Sequence, residues 1–371
     1  MQNILISFVG DISLNGKYND MILNKSPNFP FEQIKSKFDA SDIVMGNLES
    51  PFVPGDSSPE FSMKTPLEAD PKYVEGLKWA GFDILNLSNN HILDYGESRA
   101  LATQTILNNQ DIEHFGYGKD SYSAKKMKVL FLNSLRIGFV GYTDVIIDSP
   151  FYASECERGI AKFEIDCAIK DTLRNKKLVD ILVVNLHWGI EYFHLPTPEQ
   201  VAYARELIDS GADIVIGHHP HTLQGIARYK HGIIAYSLGN FVFADIKWEW
   251  VAEEEKKRIT NYNFSRRHRD SIILQVIIKD KDNIDYKIIG TCISKSGQVI
   301  ADNKRSVKRV GSLSRLLSRQ DYNTYFQREL RLFQKRQLIK QVASRFKRIQ
   351  KIKSKHLKEF RNILCRWLQL K

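Results

Sequence analysis

Along its first 300 residues the chain repeats one pattern: a short apolar run, a loop of polar residues, then apolar positions at helical spacing. The runs Ile4–Val9, Asp42–Met45, Asp83–Leu87, Ile181–Val184 and Asp213–Ile216 are nearly unbroken and rich in β-branched residues. Such runs predict strands buried on both faces, and hence a sheet covered by helices. Further strands are predicted at Ile137–Tyr142, Ile233–Ser237 and Ile272–Ile278. Between them, Thr197-Pro198-Glu199-Gln200 opens a helix in capping style, and Val201, Ala204, Leu207 and Ile208 supply its apolar face. Ser210-Gly211 ends it. A second helix is predicted over Leu101–Asn108. No internal repeat or low-complexity linker interrupts the pattern before about residue 300.

The pattern then changes. Residues 320–371 contain no Pro or Gly and predict helix, with Ile339, Val342, Phe346, Ile349, Ile352, Phe360, Ile363 and Trp367 forming one apolar stripe. Residues 302–371 hold 21 Lys and Arg against four Asp and Glu, a net +17, so the preceding part carries −6 of the chain's +11. The expected organisation is an α/β domain over 1–300 followed by a basic amphipathic helical extension over 301–371. Such an extension suits an anionic membrane surface, with Phe360 and Trp367 at the interface, or packing on a protein surface. No motif for reading nucleic acid accompanies it.

Composition adds two points. Cys156, Cys167, Cys292 and Cys365 are scattered without a CxxC pair, as expected of free thiols in a reducing compartment. The N-terminus runs straight into the strand Ile4–Val9 without a basic and apolar leader, and no stretch reaches the ~18 apolar residues of a membrane span. The expected location is the cytoplasm, with peripheral contact at the inner membrane surface through the tail.

Five of the predicted strands share one feature: each delivers metal-capable or acid–base residues at its carboxyl end. These are Asp11, Glu49, Asn90 with His91, His187, and His219 with His221. In open α/β sheets that edge is where loops converge on a ligand. Singly, Gly10-Asp11 or Asn47-Leu48-Glu49 reads as a turn or a helix cap. His218-His219-Pro220-His221 after a buried strand is harder to explain structurally, since crowded imidazoles repel on protonation and a metal resolves the conflict. Oxygen and imidazole ligands together suit Mn, Fe, Zn or Co ions. On a strand-like loop His219 and His221 would share a face and His218 would point the other way. His114, His194, His231, His268 and His356 read as ordinary surface or core residues, and Arg266, Arg267 and Arg269 as a solvated loop.

The ordered motifs Gly10-Asp11, Asn47–Glu49, Asn89–Gly96, His187–Tyr192, Gly211–His221 and Tyr236–Phe241 resemble the capsule-synthesis (CapA, poly-γ-glutamate biosynthesis) family. That family is similar to calcineurin-like metallophosphoesterases. The resemblance implies a four-layer α/β/β/α sandwich with one or two divalent ions, Mn, Fe or Zn, at the strand ends. It implies Asp11 and His221 on one ion, Asn90, His187 and His219 on the other, and Glu49 between them. It further implies His91 as an acid near the leaving group, Asp94 as its orienting partner, and Asn47 and Glu191 as residues that orient ligands from behind. The chain departs from the metallophosphoesterase Asp-x-His motif at Ser13, and from its bridging Asp at Glu49. Two functions follow: a phosphoesterase-type hydrolase in cell-surface polymer biosynthesis, acting on an anionic polymer or phosphoester, or a non-catalytic subunit of a polymer-synthesis complex that keeps the fold.

Overall fold

The computed structural model describes residues 3–53, 66–145, 152–243, 245–251, 257–262 and 264–349. The chain forms two compact units, Met1–Arg319 and Gln320–Lys371. The first is built on two sheets. In chain order its principal strands are β1 (Ile4–Ser13), β2 (Ile43–Leu48), β3 (Ile84–Asn86), β4 (Glu113–Phe115), β5 (Lys128–Leu132), β6 (Leu135–Thr143) and β7 (Ile181–His187). They continue with β8 (Ile214–His218), β9 (Ile226–Tyr229), β10 (Gly232–Ala235), β11 (Asn240–Phe243), β12 (Asp270–Asp280), β13 (Asn283–Ile293) and β14 (Val299–Ile300). Every run expected to be a strand is one, and most extend further toward the C-terminus than the apolar run itself.

Sheet one has the order β14-β13-β12-β1-β2-β3-β4, with β11 pairing onto the end of β1. Its β1–β4 half is parallel and its β12–β14 half antiparallel. Sheet two has the order β9-β10-β8-β7-β6-β5, parallel through its four middle strands. The sheets face each other, with Phe115 of β4 and Phe139 of β6 at 6.1 Å between ring centroids. On the outer face of sheet one, α1 (Lys17–Asn24), α2 (Tyr73–Ala80) and α3 (Gly96–Asn108) bury Tyr18, Tyr73, Leu77, Ala100 and Leu107 in one cluster with Ile12, Val44, Leu48 and Leu85. On sheet two, α4 (Ile165–Lys176) packs on β7 and α5 (Pro198–Asp209) on β8. The result is the expected α/β/β/α order. Both faces of each parallel strand are covered, which is why those strands are apolar throughout rather than alternating.

The caps read from sequence hold. At α5, Thr197 Oγ1 accepts from Gln200 N and Gln200 Oε1 accepts from Thr197 N, so two end donors of the helix are satisfied reciprocally. The helix α6 (Lys304–Leu317), beyond residue 300, packs against β9, β12 and β13 with Val310, Leu313 and Leu317 buried, and belongs to the first unit. In the second unit, α7 (Tyr322–Ile349) is a helix that leaves Leu332, Leu338 and Ile339 exposed. Phe360, Trp367, His356 and Cys365 lie outside the described residues, while Cys156, Cys167 and Cys292 are free thiols. Among the described residues no helix is long and apolar enough to cross a membrane.

One glycine sets the geometry of the site edge. Asp11 N donates to Gly239 O at 3.0 Å, and a Cβ on Gly10 would lie 1.8 Å from that same carbonyl. Gly10→Ala must therefore push the two backbones apart. The expected cost is toward the upper end of the roughly 1–3 kcal/mol of overpacking, read by chemical denaturation. Wild-type stability in the variant would show that the two backbones part freely.

Candidate metal centre

Strand register gathers the site. In sheet one Asp11 pairs with Asn47, and Asn47 with Asn86, so three polar residues form a row across three parallel strands. In sheet two His187 pairs with His218. Asp11 does not sit past the end of its strand. It lies within β1, where the register slips between Phe8 and Asp11 against β2 and between Asp11 and Ile12 against β11. A bulge of this kind re-aims a side chain, and here it presents the Asp11 carboxylate to the histidine loop. That loop bends through the left-handed region, with φ of +90° at His219 and +51° at His221. Strained non-glycine backbone of this sort persists only where its surroundings hold it.

Asn47 is the hub. Its Nδ2 donates to Asp11 Oδ1 at 3.0 Å and to His187 Nδ1 at 3.3 Å, while its Oδ1 accepts from Asn86 and Asn89. His187 Nε2 lies 2.6 Å from Asn90 Oδ1. Thr143 Oγ1 donates to the His187 carbonyl at 2.8 Å. His221 Nδ1 lies 2.9 Å from Asn240 Oδ1, so that ring is oriented from behind and its Nε2 faces Glu49 Oε1 at 3.5 Å. His187 Nε2 is 3.6 Å from the same oxygen. His91 Nδ1 pairs with Asp94 Oδ2 at 2.8 Å, and that oxygen also accepts from Leu67 N. About 10% of the His91 side chain reaches solvent. Glu191 is exposed at the rim, and its charge raises the pKa of both Glu49 and His221.

Thus Asp11, Asn47, Glu49, Asn90, His187, His219 and His221 meet in one buried cluster, with the His91–Asp94 pair on the Asn89–Gly96 loop beside it. Two participants were not anticipated. His218 faces the cluster, with Nδ1 3.3 Å from Asp11 Oδ1, because the left-handed turn at His219 breaks the alternation that would have sent it away. Asn240 orients His221. Its signal in sequence was an Asn directly after Leu238-Gly239, indistinguishable from a turn residue until β11 is seen beside β1. Of the three arginines, Arg269 is committed to Asp245 at 2.7 Å.

The electrostatics are those of a site short of positive charge. Burial lifts the Glu49 carboxyl well above its ordinary range, and the nearby Asp11 charge adds to this. Burial also opposes ionisation of Asp11, but the imidazoles of His218 and His221 outweigh it and hold Asp11 well below the usual range. Burial and the His219 charge depress His187; burial and His221 depress His219 to about 3. His221 moves the other way: burial disfavours its charge, yet Glu49 and Asp11 raise it to about 10. Burial lifts Asp94 against the pull of His91.

Both Glu49 carboxylate oxygens and His219 Nδ1 are buried without a hydrogen-bond partner. Leaving a buried acceptor unpaired is costly, and a cation removes the cost. Two triads, Glu49-His219-His221 and Asp11-Glu49-His187, each place one ligand atom per residue within 4.8 Å of the others, and they share Glu49. The donor set, carboxylate with imidazole, fits a divalent transition ion. Because His221 holds a proton at neutral pH, cation binding must displace it. The expected result is release of at least one proton per Mn²⁺ at pH 7 and an affinity that rises with pH below 10, read by calorimetry in buffers of different ionisation enthalpy. Binding without proton release would place the ion away from His221.

Comparison with known proteins follows the same residues. The model of the family described as bacterial capsule synthesis protein PGA_cap matches residues 5–245. The capsule biosynthesis protein CapA of Bacillus anthracis is 34% identical over 248 residues, covering 65% of this chain and 60% of that protein. The PGA biosynthesis protein CapA of Bacillus subtilis strain 168 is 36% identical over 240 residues, covering 64% and 62%. The chain thus spans less than two thirds of either relative's length. Among solved structures, the NAD nucleotidase of Haemophilus influenzae aligns over 84% of this chain and 63% of its own, at 11% identity and a TM-score of 0.40.

Proposed function

Since the chain belongs to the bacterial capsule synthesis protein PGA_cap family, we propose that it is a divalent-metal-dependent phosphoesterase-type hydrolase serving capsule, poly-γ-glutamate or other cell-surface polymer biosynthesis. The observation that carries this reading is Glu49: a fully buried carboxylate with no hydrogen bond, flanked by His187 and His221 nitrogens at 3.6 and 3.5 Å. Asp11, Glu49, Asn90, His187, His219 and His221 are the residues that would hold one or two ions. A bound divalent ion supplies Lewis acidity toward a phosphoryl oxygen and a lowered pKa for water.

The remaining roles fall to the chain itself. Asn47 and Asn240 contact Nδ1 of the His187 and His221 rings and so set where the two Nε2 atoms point. Asp94 holds the Nδ1 side of His91, leaving Nε2 to deliver a proton to a leaving oxygen. Asp11, Asn47, Glu49 and His187 are fully buried.

Ser13 favours a second reading, a non-catalytic subunit of a polymer-synthesis complex. It stands where metallophosphoesterases carry a ligand His, and its Oγ is buried without a partner. Elemental analysis of wild type beside His219→Ala, with hydrolysis of a generic phosphodiester in Mn²⁺, separates the two. Metal and hydrolysis that both fall in the variant support the hydrolase. Metal without hydrolysis favours the subunit, and no metal in either protein overturns the metal site and with it the hydrolase.

A further inference from the structure

The helix α6 lies outside the stretch matched to the family, yet one of its side chains reaches the histidine loop. Arg309 is a largely sequestered guanidinium, with 19% of its side chain exposed. Its Nη2 donates to Thr222 Oγ1 at 2.9 Å, and Thr222 directly follows His221. Its Nη1 donates to the Arg267 carbonyl at 3.0 Å. That carbonyl belongs to the short 3-10 turn Arg266–Arg269, whose His268 carbonyl accepts from Asn240 Nδ2 at 3.1 Å. Asn240 Oδ1 in turn accepts a hydrogen bond from His221 Nδ1. One planar fork therefore ties together the two segments that converge on His221: the loop that carries it and the turn that orients it.

The anchor is itself anchored. Asp270, buried, accepts from both Arg305 Nε at 2.9 Å and Arg305 Nη2, and lies 4.0 Å from Arg309 Nη1, so one carboxylate offsets part of the charge that α6 brings in. Ser314 Oγ accepts from Ile226 N at 2.8 Å, holding the chain that leaves the loop. The left-handed backbone at His219 and His221 needs such support, because relaxed backbone would leave that region.

We propose that Arg309 is a positioning residue for the metal centre: through Thr222 and the Arg267 carbonyl it holds the His219–His221 loop in its ligating conformation. This rests on reading Asp11, Glu49 and the three histidines as metal ligands. A guanidinium is required rather than a charge alone, since a Lys ammonium does not present two donors in a rigid fork.

The test is Mn²⁺ binding by calorimetry on the full chain, together with hydrogen exchange of residues 217–226 in the metal-free protein. Arg309→Ala is expected to weaken Mn²⁺ binding roughly tenfold or more, the range for residues that orient ligands, and to speed exchange of that segment. Arg309→Lys should restore little of either, whereas the exposed control Arg315→Ala should match wild type. Thr222→Val removes only the loop's acceptor and should reproduce the faster exchange if Arg309→Ala fails to fold. Unchanged Mn²⁺ affinity with lowered melting temperature would overturn the proposal and leave Arg309 a structural anchor of α6. Full rescue by Lys would overturn it too, leaving charge as the cause. If wild type binds no Mn²⁺, the metal reading falls, and exchange of 217–226 alone then decides whether Arg309 holds the loop.

Discussion

Replacing Glu49 by Gln is expected to stabilise the metal-free protein at neutral pH and to remove its stabilisation by Mn²⁺. The two effects have opposite sign and one cause. Burial raises the Glu49 pKa above its ordinary value near 4.5, so the folded state binds more protons than the unfolded state above that pH. Stability of the metal-free wild type must then fall as pH rises from about 4.5 toward the folded pKa. The Gln variant has no such slope from this position. Its gain at neutral pH is the cost of ionising the buried carboxyl, about 1.4 kcal/mol for each pH unit of that fall. Mn²⁺ at a hundredfold excess over its dissociation constant adds about 2.7 kcal/mol to a protein that binds it, and that increment should vanish in the variant. Thermal melts from pH 4.5 to 8, with and without Mn²⁺, read both. A variant that gains nothing when metal-free and still responds to Mn²⁺ would remove Glu49 from the site.

His91→Ala should cut turnover of a phosphodiester about 10²- to 10⁴-fold, the range for loss of a general acid, with Mn²⁺ affinity changed by less than about twofold. His91 is outside the proposed ligand set, and its Nδ1 is held by Asp94. The diagnostic lies in the leaving group. A p-nitrophenolate departs without a proton, whereas an alkoxide needs one. The deficit should therefore be largest for alkyl esters and shrink for p-nitrophenyl esters. An equal loss on both, or a loss of Mn²⁺ affinity, would assign His91 to binding rather than to proton delivery.

Much of this arrangement was readable from residue order. Nearly continuous β-branched runs announced buried strands because parallel strands with both faces covered have no polar face to alternate. Thr197-Pro198-Glu199-Gln200 announced a helix start because its own side chains satisfy the end donors. Polar residues at the ends of five such strands announced the cluster. What escaped depends on pairing between distant segments. Asn240 became part of the centre only when β11 paired with β1 beside Asp11. His218 faces Asp11 because a left-handed residue follows it, and no periodicity encodes that turn. Arg309 was one basic residue in a basic region until α6 was seen packed on β9, β12 and β13.

The place of β1 in its sheet carries a consequence for how the protein is made. It precedes β2 and β12 in the chain, yet it lies between them, and Ile4–Phe8 are hydrogen-bonded to Leu274–Ile278. During translation one edge of β1 must wait for a partner more than 260 residues downstream, on the order of tens of seconds at typical rates of synthesis. An apolar, unpaired edge exposed for that long is a template for association with other nascent chains. Expression on crowded polysomes should therefore favour aggregation, and slower initiation or chaperones that shield β1 until β12 emerges should raise the soluble yield.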